Sequence, residues 1–248
     1  MLKDPAEIRA AYSTTGTAED YIDRRFTSAW GSVMHAAQVN VLNEVIRAER
    51  VKRVLEVAPG PARLSRDVSG FERGCLCEFN DSMLQVARRR LKDANGRWRI
   101  VRGDAFHLPF QASDFDMVYT FRFIRHFEAP ERTILYRQIR SVLKTNGLFV
   151  FDAVSRKVGY ASRVRDGLEK HPVYDEFYEP DQLKQELAAH GFTPISLTDV
   201  IRHMRLQMHI QVLVGPRSSP LARWLIAMLE KIPGDPLEWV MVCRKTAD

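Results

Sequence analysis

The chain is poor in most of the features that reveal function by composition alone. It has only three cysteines, Cys75, Cys77 and Cys243, too few and too odd in number for a disulfide scaffold. Cys75 and Cys77 stand two apart with no second Cys-x-Cys pair or histidine cluster nearby, so no metal site is expected. No apolar run approaches the roughly 18–20 residues a membrane span needs. The opening residues, Met1 to Glu7, lack the apolar core and cleavage site of a signal peptide, which makes the cytoplasm the expected compartment. There is no dense basic tract: the formal net charge of +6 comes from scattered Arg and Lys, the pattern of a solvated surface rather than of a nucleic-acid interface. A phosphate-loop G-x-x-x-x-G-K-[ST] is missing, as are internal repeats and low-complexity segments.

What is present is ordinary globular material: 248 residues, 45% hydrophobic and 27% charged, enough for one domain with appendages. From Val51 to Ala153, short apolar runs alternate with helix-period stretches, which predicts βα units around a mostly parallel sheet with helices on both faces. Strands are expected at Arg53–Val57, Cys75–Phe79, Trp98–Val101, Phe115–Phe121 and Leu148–Phe151, then at Pro194–Ile201 and Leu237–Cys243. A helix is expected to open near Pro61, and another behind a Ser82/Gln85 capping box. A third runs from Pro130 and is stopped by Asn146-Gly147. Further helices are expected from Pro180 to His190 and from Leu221 to Ile232. Met204, Leu206, Met208, Ile210 and Val212 alternate with polar residues, the pattern of a half-buried strand. Residues 1–50 read as a helical lid and 51–248 as the main domain, with inserts at about 154–178 and 203–232.

The chemistry concentrates where strands end. Val54-Leu55-Glu56-Val57-Ala58-Pro59-Gly60-Pro61-Ala62-Arg63 is a strand, a glycine-bearing turn and a helix start, which sets backbone N–H groups against an anionic or carboxylate-bearing ligand. Glu78, at the end of the second strand, is placed to accept hydrogen bonds from ribose hydroxyls. Asp104, after the third, is placed to accept from an adenine amine. A dinucleotide fingerprint would need a small residue where Arg63 stands, which disfavours NAD and FAD.

Ordered motifs extend this reading. Val54 to Ala62, Glu78-Phe79-Asn80-Asp81-Ser82-Met83-Leu84, Gly103-Asp104-Ala105-Phe106-His107-Leu108-Pro109-Phe110 with Ser113-Asp114-Phe115-Asp116, and Arg140 to Gly147 together resemble the class I S-adenosylmethionine-dependent methyltransferases. The resemblance is to the small-molecule branch that includes the ubiquinone/menaquinone-biosynthesis type. It covers residues 51–153 and implies a Rossmann-like, seven-stranded, mostly parallel sheet and S-adenosylmethionine as cofactor. It further implies that Glu56 and Ala58-Pro59-Gly60 face the methionine part and that Glu78 holds the ribose. Phe79 would lie along the adenine, Asp104 and the Ala105 N–H would read its edge, and Phe106 and Phe121 would complete the crevice. Alanine stands at positions 58 and 62 where the family has glycine, a cheap exchange if φ is negative there.

The substrate side is thinner. His126 matches a position where the family often has histidine and is the candidate general base. Arg122 and Arg125 are candidates for a substrate carboxylate or phosphate. Tyr21, Arg24 and Arg25, in the lid, are candidates for enclosing a partly apolar, acidic small-molecule substrate. The rival readings are an RNA or protein methyltransferase, to which the net charge lends weight, and a non-catalytic S-adenosylmethionine-binding module. No membrane span is expected, and the oligomeric state stays open between monomer and homodimer.

Overall fold

The computed structural model describes residues 4–11, 26–93 and 96–246. Its centre is one sheet in the order β3-β2-β1-β4-β5-β8-β7. The strands are β1 (Arg53–Val57), β2 (Arg73–Glu78), β3 (Trp98–Arg102), β4 (Phe115–Thr120), β5 (Leu143–Ser155), β7 (Phe192–Arg202) and β8 (Pro236–Lys245). A two-residue strand, β6 (Phe177–Tyr178), pairs with the end of β5 and brings the count to eight. β8 runs antiparallel to both β5 and β7, and the other pairings are parallel. The chain reverses its strand order at β1, which leaves a crevice beyond the carboxyl ends of β1 and β4, where open α/β sheets take ligands.

The central strands are apolar on both faces because helices cover both. Leu55, Val118, Phe149 and Phe151 pack into one buried cluster, while Val54, Met117, Tyr119 and Val150 pack into the other. The second cluster is roofed by α2 (Ala29–Ala48), reached after α1 (Pro5–Ala11). The remaining helices are α3 (Asp81–Arg90), α4 (Ala129–Val142), α5 (Ala161–Asp166), α6 (Pro180–Ala189), α7 (Met204–Leu213) and α8 (Ser219–Leu229).

Four local expectations are corrected. After Gly60 the chain makes consecutive turns as far as Asp67 rather than a helix. Helix α3 is capped by Asn80, whose carboxamide oxygen accepts from the Ser82 and Met83 N–H groups at 2.9 and 3.2 Å, so Ser82 is inside the helix and not its cap. Helix α4 ends at Val142 and passes directly into β5; Asn146, at φ 62°, bends that strand instead of stopping the helix. The alternating segment 204–213 is helix α7, entered through a left-handed His203 at φ 53°. The alternation misleads there because most of its apolar side chains point to solvent, whereas the polar Gln207 is the one buried.

Candidate cofactor and substrate cavities

The turn after β1 is built from left-handed residues. Ala58, Gly60 and Ala62 have φ values of 52°, 57° and 55°. The condition under which alanine would be cheap is therefore not met: both alanines carry a Cβ in the region that costs about 1–2 kcal/mol for an L-residue. Ala58→Gly and Ala62→Gly are each expected to raise stability by about 0.5–1 kcal/mol, the strain relieved less the extra freedom glycine brings to the unfolded chain. Chemical denaturation of the single variants would read this directly.

The strained turn is held from below. The Glu78 carboxylate accepts from the Gly60 N–H with one oxygen and from the Asn80 N–H with the other, both at 2.9 Å. The Phe79 N–H also bonds this carboxylate, whose four lone-pair positions still leave room for an incoming hydroxyl. The Ala58 N–H donates to the Cys77 carbonyl at 2.9 Å, which ties the turn to β2. At Gly60 an added Cβ would meet only Met83 Sδ, at 3.9 Å, so the backbone there is open to close approach by a ligand.

Glu56 is buried beneath the same turn, where Tyr119 Oη donates to it at 2.9 Å and Ser65 Oγ donates a shorter bond. Burial pushes its carboxyl from 4.5 up to about 7, against the pull of these two hydroxyls and of Arg63. The folded state thus holds this proton to higher pH than the unfolded chain does. Stability contributed by the protonated form is lost as pH rises from about 4.5 to about 7 and changes no further above that. Glu56→Gln should lack this decline, so urea midpoints of variant and wild type should diverge across that interval, with wild type falling.

A cavity of about 140 Å³ lies over these groups. All ten sequence-predicted cofactor residues line it: Glu56, Ala58, Pro59, Gly60, Glu78, Phe79, Asp104, Ala105, Phe106 and Phe121. Asp104 Oδ1 accepts from the Phe106 N–H at 3.0 Å, which fixes the loop after β3 as a turn. Phe79 is a largely exposed ring at the rim. The sequence reading missed Ile8, Asn80, Met83, Phe123 and Phe127, which line the same cavity. Of these only Asn80 carried a legible signal, as an Asn immediately before a helix-period run. Burial pushes the Cys77 thiol, also in this lining, up to about 12, so it packs rather than reacts.

A second, larger cavity of about 670 Å³ adjoins the first, and Arg122 and His126 line both. Arg122 follows β4 in a left-handed conformation, φ 59°, held by its N–H donating to Asp152 Oδ1 at 2.5 Å. Its guanidinium carbon lies 5.9 Å from the centre of the Phe26 ring. His126 donates from Nδ1 to the Tyr174 carbonyl at 2.8 Å, with Asp175 Oδ1 3.1 Å from the same nitrogen. A carbonyl accepts only, so Nδ1 carries the hydrogen and Nε2 is the basic nitrogen of the neutral ring. Burial alone would raise Asp175; Arg125, His126 and Arg163 outweigh it and hold that carboxyl well below its ordinary range.

Arg125 differs from its neighbour Arg122. Only 3% exposed, it is ion-paired to Asp152 at 3.4 Å and Asp175 at 3.1 Å, with Glu238 at 3.9 Å. The sequence reading offered both arginines to a substrate anion; both line the second cavity, and Arg125 is in addition engaged by the protein's own carboxylates. Arg63, the residue that argued against a dinucleotide site, is buried under α2, where it donates to Gln38 Oε1 at 2.7 Å and stacks 4.1 Å from the Phe26 ring centre. Tyr21, Arg24 and Arg25 lie outside the described residues.

Comparison with known proteins now bears on this geometry. A family model described as a methyltransferase domain matches residues 54–147, the stretch that carries the turn after β1, Glu78 and the loop after β3. Residues 54–147 are a methyltransferase domain. A ubiquinone/menaquinone biosynthesis C-methyltransferase, UbiE, from Azotobacter vinelandii is 36% identical over 110 residues, which are 42% of this chain and 43% of that protein. A sterol 24-C-methyltransferase from Debaryomyces hansenii is 25% identical over 193 residues, 66% of this chain and 49% of that protein. The chain spans about half or less of the length of the curated relatives it matches first. The fold of the methyltransferase domain and its flanking helices is shared with magnesium protoporphyrin IX methyltransferase from Synechocystis PCC 6803, solved with bound SAH. The two superpose with a TM-score of 0.69 at 10% identity, over 98% of this chain and 100% of that one.

Proposed function

We propose that the protein transfers a methyl group from S-adenosylmethionine to a small, largely apolar acceptor that bears an anionic group such as a carboxylate or phosphate. The observation that carries this reading is the junction of the two cavities at Arg122 and His126: one cavity has the donor set for a nucleoside, and the other is roomy and lies beside it. The first cavity fits the cofactor chemically, since the Glu78 oxygens have lone pairs to spare and the backbone at Gly60 is open. Glu78 would hold the ribose hydroxyls, Phe79 would cover the base, and Asp104 with the Ala105 N–H would read its edge. When bound, S-adenosylmethionine supplies an electrophilic methyl group for in-line displacement.

The lining of the second cavity supports the acceptor class. Trp30, Met34, Met204 and Met208 give it apolar, adaptable walls. Three nitrogens of lining residues are buried with no hydrogen-bond partner among the described residues: Trp30 Nε1, Arg122 Nε and His171 Nε2. His171 Nδ1 accepts from Arg163, so its Nε2 carries a hydrogen, and all three are therefore donors. Unmatched donors call for a ligand rich in acceptor oxygens. The names of the relatives, sterol and ubiquinone/menaquinone methyltransferases, also favour an apolar acceptor. His126 would take the acceptor's proton at Nε2, steadied at Nδ1 by Tyr174 and Asp175. The walls exclude water, and Arg122 aligns the acceptor through its anionic group.

Calorimetry with S-adenosylhomocysteine tests the cofactor half: saturable binding is expected, and silence from folded protein would end the reading. Incubation of cell extract with isotopically labelled methyl donor tests the rest. A labelled product that partitions into organic solvent is expected. Arg122→Met should raise the KM for that acceptor by a larger factor than it weakens S-adenosylhomocysteine binding, because Arg122 borders both cavities. A labelled RNA or protein would favour the rival class.

A further inference from the structure

Helices α7 and α8 form a hairpin joined by a short turn, and both pack on α2. Its inner side is unremarkable: Ala222 and Ile226 are fully buried with Ala29, and Ile210 and Val214 lie against them. Its outer side is apolar. Leu206, Met208, Val212 and Leu213 of α7, then Leu221, Trp224 and Met228 of α8 and Ile232 beyond it, are 38–63% exposed. Leu221, Trp224 and Met228 fall at i, i+3 and i+7, one stripe of a helix that turns away from the core. A surface helix normally fills such a stripe with mixed charges; here the charge is almost all of one sign. Residues 203–232 contain Arg205, Arg217, Arg223 and Lys231 against a single acid, Glu230. That carboxylate is turned inward, accepting from the Ile201 and Arg202 N–H groups at 3.0 and 2.8 Å and from the Gln207 side chain.

We propose that this hairpin is a docking face for the surface of an anionic lipid bilayer. Exposed leucine, methionine and tryptophan supply the apolar insertion, and the surrounding arginines and lysine supply attraction to anionic headgroups, the combination that holds a helix in the interfacial plane. A second copy of the chain is a poorer occupant because two such faces would bring like charges together. No helix among the described residues is long and apolar enough to cross a membrane, so the attachment is peripheral. Met204, Met208 and Gln211 of α7 also line the second cavity. On the proposed function, docking therefore sets one wall of the acceptor cavity against the phase in which an apolar acceptor dissolves; the docking itself stands without that reading.

The test uses the whole protein, without cofactor, and vesicles of phosphatidylcholine alone or mixed with phosphatidylglycerol in a roughly two-to-one ratio. Co-sedimentation with the mixed vesicles is expected, reversed by high salt and much weaker on phosphatidylcholine alone. Trp224 should be quenched by brominated lipid, and Trp224→Phe should abolish the quenching, because Trp98 and Trp239 are buried and Trp30 is partly so. The double variant Leu221→Ser/Trp224→Ser and the double reversal Arg217→Glu/Arg223→Glu should each weaken vesicle binding by about tenfold or more, with unchanged melting temperature, since all four side chains are exposed. Equal binding to both vesicle types, no binding, or light scattering that shows a dimer with Trp224 already shielded would each overturn the proposal. Loss of S-adenosylhomocysteine binding would sink the enzymatic reading but leave this one intact.

Discussion

Glu78→Ala is expected to weaken S-adenosylhomocysteine binding by roughly 30- to 150-fold, about 2–3 kcal/mol, the range for losing charge-assisted hydrogen bonds in a buried site. Two effects add. On the proposed function the variant removes the oxygens that would meet the ribose, and it also leaves the N–H groups of Gly60 and Asn80 without the acceptor that holds the turn closed. Glu78→Gln separates them: a carboxamide keeps one acceptor oxygen for the turn but offers a donor where a hydroxyl needs an acceptor. The glutamine variant should therefore melt nearer to wild type than the alanine variant while still binding poorly. Calorimetry beside thermal denaturation reads both quantities. Unchanged affinity in the alanine variant would remove Glu78 from the cofactor site.

The second large effect is on stability. Arg125→Met should destabilise the protein by about 3–5 kcal/mol, the cost of removing one partner from a buried ion pair and stranding the others. Asp152, Asp175 and Glu238 lie within 3.4, 3.1 and 3.9 Å of the guanidinium, and all four side chains are almost fully buried. Burial first, and then the neighbouring Asp152 carboxylate, already push Glu238 up, with Arg125 pulling against them. Without the arginine Glu238 would hold its proton in the folded state to still higher pH, where the unfolded chain has released it. The variant should consequently lose stability more steeply than wild type as pH rises through neutrality. Urea denaturation at several pH values checks both size and slope. A loss below about 1 kcal/mol would mean that the carboxylates find other partners or water.

Two arginines three residues apart show where sequence reasoning stops. Arg122 and Arg125 are alike in sequence context, and both are reasonable anion receptors. They part because the backbone turns left-handed at Arg122, a conformation set by an Asp152 carboxylate thirty residues further along the chain. Nothing local predicts that turn. Helix α7 fails for a related reason: strict alternation is evidence for a strand only if one set of residues is buried, and here the apolar set faces outward. The alanines at 58 and 62 were legible as substitutions, but their cost depended on a φ that only the closed turn reveals.

The grouping of residues around the first cavity was readable before any coordinates. A glycine turn after β1, an acid at the tip of β2 and a carboxylate loop after β3 are separated by spacings that the βα repeat converts into a common edge, and they line one cavity together with the residues that the family resemblance added. Such groups are encoded locally because each sits at a strand end, and parallel strands bring their ends together by construction. The second cavity is assembled from α2, the turn after β4, the 154–178 insert and α7, which share no period and no motif. Their meeting depends on which faces are buried and which buried charges find partners, quantities that exist only once the chain is packed.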